Sequence, residues 1–345
     1  MLLVRSLLVG VIAIAVIGCG RGTSAPSAAP TPSLAAPTAA ALAPLSQLKL
    51  QATIPESMGA SEILATDDAL WALIHEDALL IRIDPATNEI TGKVQLEPGY
   101  AYRLGLAGGR LWTFHQLAGK VIGVDPVTMK VVASVSVGEQ GDLFWVGDGA
   151  AWLIHGGDLN RVDGKTAKLS STPLPDCGIY DAAAGGGSIW FATGGGGLCQ
   201  VDEQTGAIVK EATGAWHGTG LAVVDGAVWL PGADNGLAIV DPTTLKITTA
   251  VPPPASGTVD GATYSIGTPG GDNTVVFADS AGQTGWLRYT GATIGRVDLG
   301  ADPAIVLYAG LLPGLYASNV TEAFGSLWVT NLHAGEIQRF EVPAP

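Results

Sequence analysis

The residues best suited to chemistry are five histidines, His75, His115, His155, His217 and His333. Imidazole is the commonest metal ligand and carries protons near neutral pH. Three of the five recur. His75, His115 and His155 follow Trp71, Trp112 and Trp152 by four, three and three residues. A second group is acidic and aromatic: Glu62, Asp142, Asp181, Asp260 and Glu322, with Tyr100, Tyr102, Tyr180, Trp216 and Tyr316. Such carboxylates can bind calcium or polarise a substrate, or they can line a hydrated channel. The histidines carry the same pair of readings, a metal or substrate site or a set of solvated loop side chains. Zinc needs its ligand atoms within about 2 Å of one point. Equivalent residues on neighbouring sheets stand about 10 Å apart, so three of them line a pocket more readily than they share an ion. No GxSxG elbow, P-loop or His-Glu-x-x-His is present. The glycine runs at 185–187 and 194–197 sit at turns, where phosphate binding is a weak reading. No catalytic residue is identified.

The elements that must hold these residues repeat. An aromatic inside a short apolar run follows a glycine or acidic turn in DDALWALIH, GGRLWTFH, DGAAWLIH, GGSIWFATG, DGAVWLPG, DNTVVFAD and FGSLWVTN. The anchors are Trp71, Trp112, Trp152, Trp190, Trp229, Phe277 and Trp328, spaced by 41, 40, 38, 39, 48 and 51 residues. In the first five copies an aspartate opens a polar turn 11 to 13 residues later, at Asp84, Asp125, Asp163, Asp202 and Asp241. Short polar side chains and proline at such places are hairpin chemistry. Each unit therefore reads as four strands in 40 to 45 residues, the size of one propeller blade. The aromatic strands are apolar on both faces, as expected of a sheet covered on both sides. The fold class is all-β, a seven-bladed β-propeller of four-stranded antiparallel blades. The segment 47–54 has no blade of its own and is expected to complete the last one, which leaves no open seam.

In that fold the loops before each innermost strand and between the second and third strands share a front face. They comprise 57–60, 100–103, 139–142, 177–181, 215–219, 255–264 and 301–318. Two are long, and long loops in compact domains are often functional. The candidate front-face binding residues are His75, His115, His155, His217, His333, Tyr100, Tyr102, Asp142, Tyr180, Asp181 and Trp216.

The amino terminus reads differently. Arg5 is followed by an apolar run over 7–17, too short for a permanent span, which needs about 20 residues. Residues 1–18 are expected to be a signal peptide. The run ends in Val16-Ile17-Gly18-Cys19, which resembles the bacterial lipobox. That resemblance implies cleavage before Cys19, lipidation on its sulfur, and an exported protein anchored on the extracytoplasmic face. Residues 19–46 are rich in Ala, Pro, Ser and Thr and read as a tether, with the propeller over 47–345. That body holds 31 acidic and 15 basic residues (17 less Arg5 and Arg21), a charge of −16. Anionic lipid repels such a body, so the membrane partner is the lipid anchor rather than the surface. Nucleic acid is excluded, because it requires a basic footprint.

The repeats are similar to those of the YVTN and streptogramin-lyase-like propellers. The likeness is carried by Leu327-Trp328-Val329-Thr330-Asn331 and by Val240-Asp241-Pro242, and it covers 47–345. It implies a seven-bladed extracytoplasmic scaffold. Lyase repeats often carry a glutamate after Trp-Phe-Thr. Thr193, Gly232 or Asn331 stands there in this chain, so no lyase catalytic residue carries over. Three functions stay open. One is a tethered propeller binding a small molecule or partner on its front face. Another is a metal-assisted lyase or hydrolase. The third is a scaffold for envelope proteins. No cofactor is predicted, and a divalent metal stays an open alternative.

Cys177 and Cys199 are the two cysteines beyond Cys19. In an exported chain an even pair favours a disulfide. It would close a loop of roughly 22 residues, stabilising by about 3 kcal/mol in the chain-entropy picture. Thiol titration of the denatured, unreduced mature protein is expected to find no free thiol. Two free thiols would rule the bridge out.

Overall fold

The computed structural model describes residues 42–44, 47–56, 59–97, 99–138, 141, 143–147, 149–194, 196–213, 220–224, 226–231, 236–251, 257–259, 262–264, 276–277, 284–288, 293–299, 304–309, 317–332 and 334–342. All lie in one compact unit, Pro37–Pro345. Residues 1–41, with the expected signal peptide, Cys19 and most of the tether, lie outside the described residues.

The fold is an all-β propeller. The first blade consists of Ala60–Ala65, Leu70–Ile74, Leu79–Asp84 and Glu89–Gln95, paired antiparallel in chain order. Three further blades, over 101–136, 143–173 and 179–213, repeat that order, as does a fifth over 222–251. A sixth four-stranded blade joins Ala317–Ala323, Ser326–Asn331 and Glu336–Glu341 to Leu50–Pro55 from the other end of the chain. Leu50 faces Phe340 and Pro55 faces Glu336 in that ladder.

The described residues therefore hold six four-stranded blades, where the sequence leads one to expect seven. The difference lies at 276–309. There Val276–Phe277, Thr284–Arg288, Thr293–Asp298 and Ala304–Ala309 pair in order, and Leu42–Pro44 adds a fifth strand. That last strand runs parallel, Leu42 opposite Leu307 and Pro44 opposite Ala309. The tether expected to reach residue 46 is thus in part a strand. Its position at a sheet edge suits Pro44, which has no N–H to give to a ladder. A separate hairpin, Gly257–Val259 with Ala262–Tyr264, precedes this sheet.

The middle strands explain the architecture. Leu70–Ile74 and Ser326–Asn331 are buried at every position, whereas the outer strand Glu89–Gln95 alternates between exposed and covered. A strand buried on both faces needs an apolar partner on each side. The hydrophobic clusters supply it. Trp71 and Leu73 pack on Leu111, Ile122 and Val124 of the next sheet. Trp112 packs toward Phe144 and Leu153, Trp152 toward Phe191 and Val201, and Trp190 toward Val228 and Val240. Trp229 joins Leu287 and Val297, Trp286 joins Leu327 and Val329, and Trp328 joins Ile63 and Ile81 of the first blade. Each sheet is thereby wedged between two others. Burying one such side chain is worth roughly 1.5–3 kcal/mol. The indole N–H groups of Trp112, Trp152, Trp190 and Trp328 each donate to the carbonyl five residues earlier, at 3.0–3.4 Å.

A fully buried tryptophan of the five-stranded sheet is Trp286, whereas Phe277, the expected anchor, lies on the preceding strand Val276–Phe277. Trp286 lies on Thr284–Arg288, the second strand counted from Val276–Phe277, as the other anchors lie on second strands. Its distance to Trp328 is 42 residues (328 less 286), close to the regular repeat.

The aspartate turns are uniform. Asp84, Asp125, Asp163, Asp202 and Asp241 each accept, through Oδ1, the N–H groups two and three residues on. The residue four places on has positive φ in all five turns: Asn88, Met129, Ala167, Gly206 and Leu245. Its N–H bonds back to the aspartate carbonyl at 2.8–2.9 Å.

At Asp125, Asp163, Asp202 and Asp241 these bonds favour the ionised carboxylate. The Thr166 backbone N–H and hydroxyl hold Asp163 down to about 2. Asp125 and Asp241 are lowered chiefly by the N–H groups of Thr128 and Thr244, and Asp202 chiefly by the Thr205 hydroxyl. An unfolded aspartate titrates near 3.9, roughly. The Asp163 turn thus contributes stability above about pH 4, and that contribution disappears as pH falls toward about 2. Asp163→Asn should lower the neutral-pH Tm by about 2 °C and flatten the fall of Tm across that window. A thermal-melt series against pH checks it, and a slope equal to the parent's would refute the assignment.

Candidate functional site

Where the first three blades meet, a cavity of about 450 Å³ opens on the face that carries the loops before the inner strands. Ser61, Glu62 and His75 come from the first blade, and Tyr102, Arg103, Phe114 and Gln116 from the second. Gly141, Leu143 and Phe144 come from the third. A smaller cavity of about 270 Å³ shares Glu62, Arg103 and Phe144 and extends to Asp181 and Gly220.

The inner strands are irregular in a way that arms this site. Their pairing shifts register between Ala60 and Glu62, between Tyr102 and Gly105, and between Ile179 and Asp181. A bulge of this kind re-aims a side chain. At the second of these, Arg103 has φ of 55°. A non-glycine residue there costs on the order of 1–3 kcal/mol, and such strain persists where the surroundings over-determine it. The Arg103 guanidinium lies 3.8 Å from Glu62 Oε1. Glu62 Oε2 accepts from Asn319 Nδ2 at 3.0 Å. One carboxylate thus ties the inner strands of three blades.

Two other predicted acids do similar work. Asp181 Oδ2 accepts the N–H groups of Gly220 and Leu221, which lead into the fifth blade. Glu322 Oε2 accepts the Trp286 indole N–H at 2.6 Å.

An aromatic rim borders the cavity. His75 stacks on Tyr100 with ring centroids 5.1 Å apart and meets Tyr102 edge-on at 4.2 Å. Its Nδ1 lies 2.8 Å from the Ala101 carbonyl, to which it donates, so in the neutral ring Nε2 is the acceptor. Burial, and then the neighbouring Tyr100, push the Tyr102 phenol above its ordinary range, so it stays protonated and able to donate. Phe114 and Phe144 stack across the second and third blades with centroids 5.8 Å apart.

The expected histidine triplet separates. His75 lines the cavity. His115 is fully buried. Its Nδ1 accepts the Ala118 N–H at 3.1 Å and its Nε2 donates to the Glu97 carbonyl at 2.7 Å. With both nitrogens engaged by backbone, it is a structural residue as it stands. His155 is half-buried against Gly138, where an added Cβ would lie 2.2 Å from Nε2. Tyr180 is exposed and lines neither cavity. His217, His333, Asp142, Trp216, Asp260 and Tyr316 lie outside the described residues. Cys177 and Cys199 are joined in the fourth blade with Cα atoms 6.3 Å apart. Among the described residues, the metal-type grouping is these two sulfurs with Glu211.

Sequence reasoning passed over Arg103, Phe114, Gln116 and Phe144 as site residues. A signal for Arg103 existed: a cation in Tyr100-Ala101-Tyr102-Arg103, an aromatic front loop, in a chain of 31 acidic and 17 basic residues.

The chain matches no family model and no curated protein. Solved structures resemble it in fold. A catalytically inactive virginiamycin B lyase from Staphylococcus aureus, with quinupristin, is 17% identical, with a TM-score of 0.64 over 86% of this chain and 100% of that one. BamB from Moraxella catarrhalis is 14% identical, with a TM-score of 0.56 over 86% and 100%. The computationally designed Ika8 protein is 11% identical, with 0.61 over 86% and 100%. Identities this low establish the propeller fold alone.

His115→Ala would remove a fully buried ring and leave the part-buried Glu97 carbonyl and Ala118 N–H without it. Denaturant unfolding should find it less stable by about 1–3 kcal/mol. His75→Ala, half-buried at the cavity with one carbonyl bond and two ring contacts, should cost less, about 0.5–1 kcal/mol. Equal effects at the two positions would refute the division of roles.

Proposed function

We propose that this chain is a binding propeller whose front cavity holds a small molecule. The observation that carries this reading is the composition of the cavity. About 450 Å³ is lined by a carboxylate, a guanidinium, an imidazole, a phenol and an amide beside two phenylalanines. Ligand sites combine apolar walls with a few convergent polar groups in this way, at about 300–1,000 Å³.

The wider setting belongs to the same proposal. The five-stranded sheet is a seventh blade whose outer edge has gained Leu42–Pro44, and Leu50–Pro55 closes the ring against the last blade. The pairing registers support both statements. The lipobox-like end at Cys19 supports export and a lipid anchor. An envelope protein is the alternative partner.

A thermal-shift screen of the full chain against a small-molecule library tests the cavity reading. A true ligand at a hundred times its Kd stabilises by about 2.7 kcal/mol, a rise of about 5–10 °C in Tm. Tyr102→Ala and Gln116→Ala should abolish that rise for cavity ligands. Hits indifferent to both substitutions, or a library without hits, would overturn it. Turnover of a hit would move the reading to the lyase or hydrolase alternative.

A further inference from the structure

We infer that the cavity recognises a zwitterion, an α-amino-acid head group carrying an apolar or aromatic side chain; this rests on the binding reading above and names its ligand class. Glu62 and Arg103 line both cavities side by side, with Oε1 and Nη1 3.8 Å apart. In an α-amino acid the ammonium nitrogen and the carboxylate carbon are about 2.5 Å apart, from the bond lengths and angle at Cα. Two adjacent opposite charges on the protein thus meet two adjacent opposite charges on the ligand. The ammonium faces Glu62 and the carboxylate faces Arg103.

The arrangement disfavours simpler ligands. A lone anion drawn to Arg103 meets the Glu62 charge, and a lone cation drawn to Glu62 meets the guanidinium. Like charges brought together are the usual device for rejecting wrong partners. A guanidinium has five N–H donors, and a carboxylate has about four acceptor positions.

Several features favour a built receptor over a chance ion pair. The bulge at Tyr102–Gly105 and the positive φ of Arg103 turn that one side chain toward the cavity. Asn319 holds the other oxygen of Glu62, which fixes the carboxylate. Phe114, Leu143 and Phe144 line the same space and suit an apolar side chain. Gln116 and Ser61 offer further hydrogen bonds.

Isothermal titration of the full chain with L-phenylalanine, N-acetyl-L-phenylalanine and L-phenylalaninamide tests the inference. L-Phenylalanine should bind saturably, and each blocked analogue should bind at least about tenfold more weakly. Glu62→Gln should shrink the penalty for acetylation, and Arg103→Gln should shrink the penalty for amidation. Both penalties persist in Val127→Ala, an exposed turn residue that lines neither cavity. Blocked analogues that bind as well as the parent would overturn the inference, as would L-phenylalanine that fails to saturate. A cavity-dependent hit in the library screen alongside such a failure would sink the zwitterion and leave the binding reading standing. No cavity-dependent ligand of any kind would sink both.

Discussion

The rest of the molecule depends on one constraint: its middle strands are apolar on both faces. A strand such as Leu70–Ile74 cannot leave either side to water. A flat pair of sheets would cover one side only. Neighbours on both sides are required, and each neighbour makes the same demand. The tryptophans meet it in sequence, each reaching across to the next sheet, until Trp328 reaches the first blade. The site is a by-product of that geometry. Sheets that all converge on one axis bring the starts of their inner strands together, and three such starts make the cavity.

Polar groups at that convergence hold blades together and line the cavities at once. Glu62 ties three blades while facing the cavity, and Asp181 caps two backbone N–H groups while lining the smaller one. Buried backbone donors need a partner, and an inner-strand carboxylate supplies it. This economy explains why front-face acids are poor markers of catalysis in this fold. Several are spent on holding blades to each other.

The sequence disclosed the scaffold more readily than the site. Spacings of 38 to 41 residues and the aspartate turns are local signals, set by strand length and hairpin chemistry. The repeat was misplaced where 252–275 lengthens the connection. Counted from Trp229, Phe277 stands 48 residues on and Trp286 57, so Phe277 lies nearer the regular spacing from that side. At the site, His75 with Tyr100 and Tyr102 was legible, because loop order alone places them on one face. His115 was not, because periodicity cannot say which ring nitrogens backbone will claim. The sequence placed Arg103 in a front loop but not its direction, which depends on a bulge, a one-residue shift in pairing that the residue types at 101–107 do not announce.

Leu42–Pro44 has a mechanical meaning. The chain before it reaches the body through two ladders in series, three residues against Leu307–Ala309 and then Leu50–Pro55 against Glu336–Glu341. Tension applied from the amino end loads the short ladder first. That ladder can peel away as a sacrificial link, lengthening the lead by a few residues while the deeper clasp is still unstressed.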